Sequence, residues 1–181
     1  IIASVDATTG TPYAWTVPDA ISSTVRVRVT SNQYATVKDV SDASFKIRGA
    51  FTLTAPNGDP DGAGPLTEER WTVGASQNIT WTKVGSIANA KHEYSADGGA
   101  TYTNVIIAST AAGTGAYAWT IPDAIGTNRR VRVSDASDAT VFDTSDGNFT
   151  VMAGFTLTAP NGGEVWTVNS AQTLSWTTAG T

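Results

Sequence analysis

Cysteine is absent from this 181-residue chain, which removes any disulfide framework, thiolate nucleophile or thiolate metal site. Histidine occurs once, as His92 in "AKHEYS", and reads as an ordinary strand residue rather than a catalytic base or a metal ligand. Charge is scarce as well: 15% of residues are charged, and 11 Lys and Arg stand against 16 Asp and Glu, a net charge of -5. That balance argues against a nucleic-acid partner, because phosphate binding needs a surplus of cations on one face, and it disfavours anionic membranes for the same reason. No apolar run approaches the roughly 18 residues of a membrane span, and no window carries a helical period. What remains is rich in threonine, with 17 Gly, six Trp and five Tyr, an all-β composition.

The chain contains a repeat. "YAWTVPDAI" at 13–21 returns as "YAWTIPDAI" at 117–125, and "FTLTAPNG" at 51–58 returns at 155–162, both 104 residues on. Residues 13–53 match 117–157 without a gap, with more than half of the positions identical. Residues 1–4 match 106–109, and Thr181 matches Ser86 through the pair "ITWT" and "LSWT". The expected organisation is therefore the C-terminal part of one repeat (1–49), a complete repeat (50–153) and the N-terminal part of the next (154–181), a slice through a longer tandem array. The junctions "FKIRGAFTLTAP" and "FTVMAGFTLTAP" leave only a short joint, which predicts closely stacked domains.

Period-two alternation and turn residues predict strands at 51–55, 70–73, 77–83, 91–95, 101–107, 116–121, 129–134 and 148–152. "DGG" at 97–99 is a hairpin signal. Seven to eight short strands in such a length describe a β-sandwich. In "RRVRV", Val131 and Val133 fall on the core face and Arg130 and Arg132 on the solvent face, as do Val25, Val27 and Val29 against Arg26 and Arg28. Ile79, Trp81, Tyr117, Trp119, Phe149 and Val151 complete the predicted core.

The segment "TLTAPNGGEVWTVNSAQTLSWT" (156–177), with "YSADGGATYT", "AYAWTIPDA", "RRVRVSDASD" and "DTSDGNFTV", resembles the tandem immunoglobulin-like repeats of large extracellular and surface proteins of bacteria and archaea. Its head is also similar to the immunoglobulin-like N-terminal domain of fungal cell-wall glucan-assembly and Ser/Thr-rich anchored proteins. The resemblance covers essentially the whole chain. It implies an immunoglobulin-like or fibronectin-III-like sandwich in an extracellular or cell-surface protein, and it is uninformative on activity, since such domains serve as spacers, stalks, fibre subunits and enzyme accessories. The complete copy departs from the pattern: where the later one has "NGGEVW", it has "NGDPDGAGPLTEERW", nine residues longer.

That insertion holds the main candidate metal site. Asn57, Asp59, Asp61 and Glu68 stand at positions one, three, five and twelve, with Gly62 at six, the spacing of a calcium loop whose ion needs several hard oxygen ligands. Against Ca2+ stand Asn57 in place of the first Asp, Pro65 at position nine, the absence of flanking helices, and the membership of Asn57 and Gly58 in the repeat's own turn. A protruding, contact-making loop is the competing reading. Asp135, Asp138, Asp143 and Asp146 cluster, but Asp143 and Asp146 recur as Asp39 and Asp42, which suits turn capping better than glycoside hydrolysis. Trp71 and Trp166 precede a turn and are the candidate glycan contacts; the other strand tryptophans are in phase with the core. Arg26, Arg28, Arg130 and Arg132 form a ladder that is a candidate self-association surface. "NIT" at Asn78 and "NFT" at Asn148 are formal glycosylation acceptors.

The expected function is a non-catalytic structural repeat of an extracellular stalk, fibre or sheath. Its partners would be further copies of the same repeat, in the same and in neighbouring chains, and it needs no cofactor beyond the candidate Ca2+. The alternative is a glycan-binding or spacer module of a large secreted enzyme or adhesin.

Overall fold

The computed structural model describes residues 3–5, 12–58 and 69–181. They divide into two compact units: the described residues up to Gly49 together with Val84–Ser86, and the remainder from Ala50 onward. In the first unit, β1 (Ser22–Val25) pairs antiparallel with β4 (Phe45–Ile47), and β2 (Arg28–Thr30) with β3 (Lys38–Val40).

The second unit continues with β5 (Ala50–Ala55), β6 (Arg70–Thr72), β7 (Ser76–Val84), β8 (Asn89–Ser95), β9 (Asn104–Ala111), β10 (Ala116–Thr120), β11 (Gly126–Asp135), β12 (Phe142–Thr144) and β13 (Phe149–Met152). One sheet runs β10-β7-β5; the other runs β6-β13-β11-β8-β9, with β12 paired to β11. Phe51, Leu53, Ile79, Trp81 and Trp119 from the first sheet join Trp71, Ala90, Val131, Val133, Phe149 and Val151 from the second in one buried cluster. The described residues are thus nearly all β, with one 3-10 turn at Ala112–Thr114 and no α-helix, in an arrangement consistent with a β-sandwich.

Alternation explains the faces. Val131 and Val133 are fully buried, as are Ile79 and Phe149, each such side chain worth roughly 1.5–3 kcal/mol of burial. Aromatic rings fill the interior: Trp71 meets Trp119 edge to face with centroids 5.9 Å apart, and lies tilted against Phe149 at 5.0 Å. The Trp81 indole N–H donates to the Ala112 carbonyl at 3.0 Å, so the ring is buried without an orphaned donor.

Two strands of this unit differ from the sequence expectation. The strand predicted at 101–107 begins three residues later, because Asp97 holds the Thr101 N–H and hydroxyl and keeps the chain in the turn. The strand β12 lies outside the predicted set; it is three residues long, too short for a periodic signal.

Beyond Met152 the chain forms only β14 (Gly154–Ala159) and β15 (Ser175–Ala179), antiparallel, with Leu157 opposite Trp176. Phe155, Leu157, Leu174 and Trp176 are exposed there, although their counterparts Phe51, Leu53, Ile79 and Trp81 are buried. In the first unit Val29 is likewise 71% exposed, whereas its counterpart Val133 is buried. The core face predicted for these positions is uncovered.

The two copies nevertheless fold alike at the level of hydrogen bonds. The Ser145 hydroxyl accepts the Val131 N–H at 2.9 Å, and the Ser41 hydroxyl accepts the Val27 N–H at 3.2 Å. Ser145 N–H donates to the Val131 carbonyl and Ser41 N–H to that of Val27. Each residue of one pair stands 104 positions from its counterpart in the other.

Candidate functional site

Of the calcium candidates, Asp59, Asp61 and Glu68 lie outside the described residues; Asn57 lies within them. The Asn57 amide is engaged at both ends: its Nδ2 donates to Asp146 Oδ2 at 2.8 Å and its Oδ1 accepts the Asp146 N–H at 2.8 Å. A cation would have to compete for that oxygen with a backbone donor already in place. Gly58, at φ +83°, packs so closely that a Cβ there would overlap the Gly147 backbone. Among the described residues no group of three or more metal-ligating side chains converges.

A residue that the sequence reading passed over closes the base of this insertion. Glu69 Oε2 accepts the Asn57 N–H at 2.7 Å, and burial raises the Glu69 pKa although backbone donors, Asn57 first, oppose that rise. In the later copy Glu164 does the same for the matching turn, accepting the Asn161 and Gly162 N–H groups at 2.7 Å each. The signal was present in the sequence: "ERW" and "EVW" place each glutamate two residues before its tryptophan. The insertion is therefore residues 59–68 against the single Gly163, carried on an unchanged turn.

The two candidate glycan tryptophans part company. Trp71 is 5% exposed, with Trp119 and Phe149 packed against it; it is a core residue and offers no free face for a sugar to stack on, which corrects the expectation at that position. Trp166 is 43% exposed.

The arginine ladder is more engaged than a solvated row. Arg26 and Arg130 each donate through NH1 to a carbonyl at 3.3 Å, those of Ser41 and Ser145 respectively, and Arg130 Nε donates to Asn148 Oδ1 at 2.8 Å. Arg132 is half-buried, paired with Glu93 at 2.6 Å and lying 4.6 Å over the Tyr102 ring. Arg28 is exposed. Three of the four thus have intrachain partners: Arg130 and Arg132 fasten β11 to its surroundings, and Arg26 fastens the link between β1 and β2 to Ser41.

Within the acidic cluster Asp135 and Asp138 cap turns, whereas Asp143 on β12 and Asp146, for which turn capping was expected, bond across to Leu53 and Asn57. Asp135 Oδ1 accepts the Ser137 N–H at 2.8 Å, Asp138 Oδ1 that of Thr140 at 3.0 Å, and Asp143 Oδ2 that of Leu53 at 2.8 Å. Asp97 caps a turn as well: hydrogen bonds from the Ser95 and Thr101 hydroxyls and the Thr101 N–H hold its pKa down at about 2.

His92 is fully buried between the rings of Trp81, 4.5 Å away, and Tyr117, 5.7 Å away, with neither ring nitrogen hydrogen-bonded. Burial lowers its pKa to about 4, so the imidazole is neutral near pH 7. Next to it, burial raises the Glu93 pKa, but the Lys91 and Arg132 contacts outweigh that effect and the carboxylate titrates below its usual range.

Compared with protein-family models, with curated proteins and with solved structures, the chain matches none.

Proposed function

We propose that the chain is a stretch of a tandem array of immunoglobulin-like β-sandwich repeats, acting without catalysis as an extracellular stalk, fibre or sheath. The observation that carries this reading is the uncovered half-core of β14 and β15. Phe155, Leu157 and Trp176 are 76%, 50% and 57% exposed, while the same residues one repeat earlier, Phe51, Leu53 and Trp81, are buried at 6%, 2% and 3%. An apolar face of that kind calls for a second layer, and the sequence of the complete repeat supplies one in β8, β11 and β13. The identical local hydrogen bonds of the two copies support the same reading. So does the commitment of Asp97, Asp135 and Asp138 to turn caps and of Glu93 to ion pairs with Lys91 and Arg132.

In such an array each folded core resists extension, and the insertion 59–68 is an addition to one repeat of the sequence. Electron microscopy of the native material tests the proposal: filaments or a regular surface layer are expected, and their absence overturns it. A catalytic domain encoded beside the repeats would replace it with an accessory role.

A further inference from the structure

The tetrapeptide "PDAI" occurs at 18–21 and at 122–125, and in both places its aspartate holds the same kind of corner. Asp19 Oδ1 accepts the Ser86 N–H at 2.9 Å, and its Oδ2 accepts the Ser86 hydroxyl at 2.5 Å. Asp123 Oδ2 accepts the Thr181 N–H at 3.2 Å and the Thr181 hydroxyl at 3.0 Å. Each donor follows a glycine in the left-handed region, Gly85 at φ +87° and Gly180 at φ +84°. Those glycines are closely approached: a Cβ on Gly85 would stand 3.3 Å from Ile21 Cδ1, and one on Gly180 3.0 Å from Ile125 Cδ1. Aspartate, isoleucine, glycine and a hydroxyl residue thus meet twice in one arrangement.

Neither meeting is local in sequence. The partners are 67 residues apart in the first and 58 in the second, a difference of nine that equals the extra length of the insertion. The corner therefore occupies one fixed place in the repeat, directly after β7 in one copy and directly after β15 in the other. Each pair also lies inside a single compact unit, since Ser86 belongs with the first and Thr181 with the second. A carboxylate receiving both an N–H and an O–H makes charge-assisted bonds, stronger than neutral ones and directional.

We infer that the "PDAI" carboxylate and the Gly-Ser or Gly-Thr corner are the two halves of a clasp by which one repeat holds the next, and that the partner it recognises is a further copy of this repeat. The complete repeat bears both halves: Gly85 and Ser86 receive Asp19 of the preceding repeat, and Asp123 receives Thr181 of the following one. A contact whose two faces differ propagates along an array instead of closing as a symmetric dimer. The clasp rests on the tandem-array reading and supplies its joint.

Amide hydrogen exchange on the 181-residue chain, read by NMR, tests it. The Ser86 and Thr181 amides are expected to be protected in the wild type. Asp19→Ala speeds exchange at Ser86 by about tenfold, as for the loss of a charge-assisted hydrogen bond, and leaves Thr181 unchanged; Asp123→Ala does the reverse. Amides of β8 and β11 report whether each variant is folded, and Ser86→Ala, a milder change at an exposed corner, should speed its own amide by a smaller factor. Unprotected wild-type amides, or exchange at Ser86 indifferent to both Asp19→Ala and Ser86→Ala, overturn the clasp. A clasp that passes while the native material forms no filament or layer leaves the joint standing and removes only the array reading.

Discussion

His92 is a polar side chain placed where only an apolar one fits without loss, between Trp81 and Tyr117 and with both nitrogens unpartnered. Its pKa is about 4 in the folded protein against 6.5 for the free group. Between those values the unfolded chain binds the extra proton, so stability is intact above pH 6.5 and falls as the pH drops toward 4, by about 3 kcal/mol in all. His92→Phe keeps a ring in the stack and removes the proton site. It should flatten the loss between pH 6.5 and 4, with urea unfolding at pH 7 and pH 4.5 as the measurement; an unchanged pH dependence would assign the titration to another group. The two candidate tryptophans make a second comparison. Trp71→Ala opens a core cavity and should cost about 3–5 kcal/mol, whereas Trp166→Ala, at an exposed position, should shift stability by no more than about 0.5 kcal/mol.

At the scale of elements, legibility followed periodicity. The strands β5, β7, β10 and β11 were readable because their apolar residues alternate and turn residues bound them, and their buried positions Ile79, Trp81, Trp119, Val131 and Val133 came with them. Where a side chain overrides the pattern, sequence reading slips: Asp97 delays β9, and three-residue β12 leaves no period to find. Trp71 stands beside a turn in the sequence, yet the parallel pairing of β6 with β13 carries it into the core. The insertion is the element most open to manipulation, since Glu69 already closes its base as Glu164 closes the shorter loop. Replacing residues 59–68 with one glycine should leave the fold intact and change stability by about 1 kcal/mol or less, the scale of loop-closure entropy. Thermal unfolding checks this, and a large loss would show that the insertion props up the sandwich. Calcium titration of the same pair isolates any ion effect to the loop.

For the whole molecule, the decisive contrast is between a repeat with both layers and one with a single hairpin. A two-stranded hairpin is marginal alone, and β14 with β15 exposes the residues that anchor the complete core. Joining a second copy of residues 87–152 after Thr181 would restore β8 to β13 for that hairpin in the register in which Thr181 matches Ser86. Burying Phe155, Leu157, Leu174 and Trp176 then contributes roughly 1.5–3 kcal/mol each before ordering costs. The expected outcome is a blue-shifted tryptophan emission and acrylamide quenching reduced at Trp166 and Trp176, read in variants that keep one of the two as the sole reporter among exposed tryptophans. Continued quenching at the level of the 181-residue chain would mean that the hairpin does not take up the missing layer, and that likeness of sequence does not extend to a shared core.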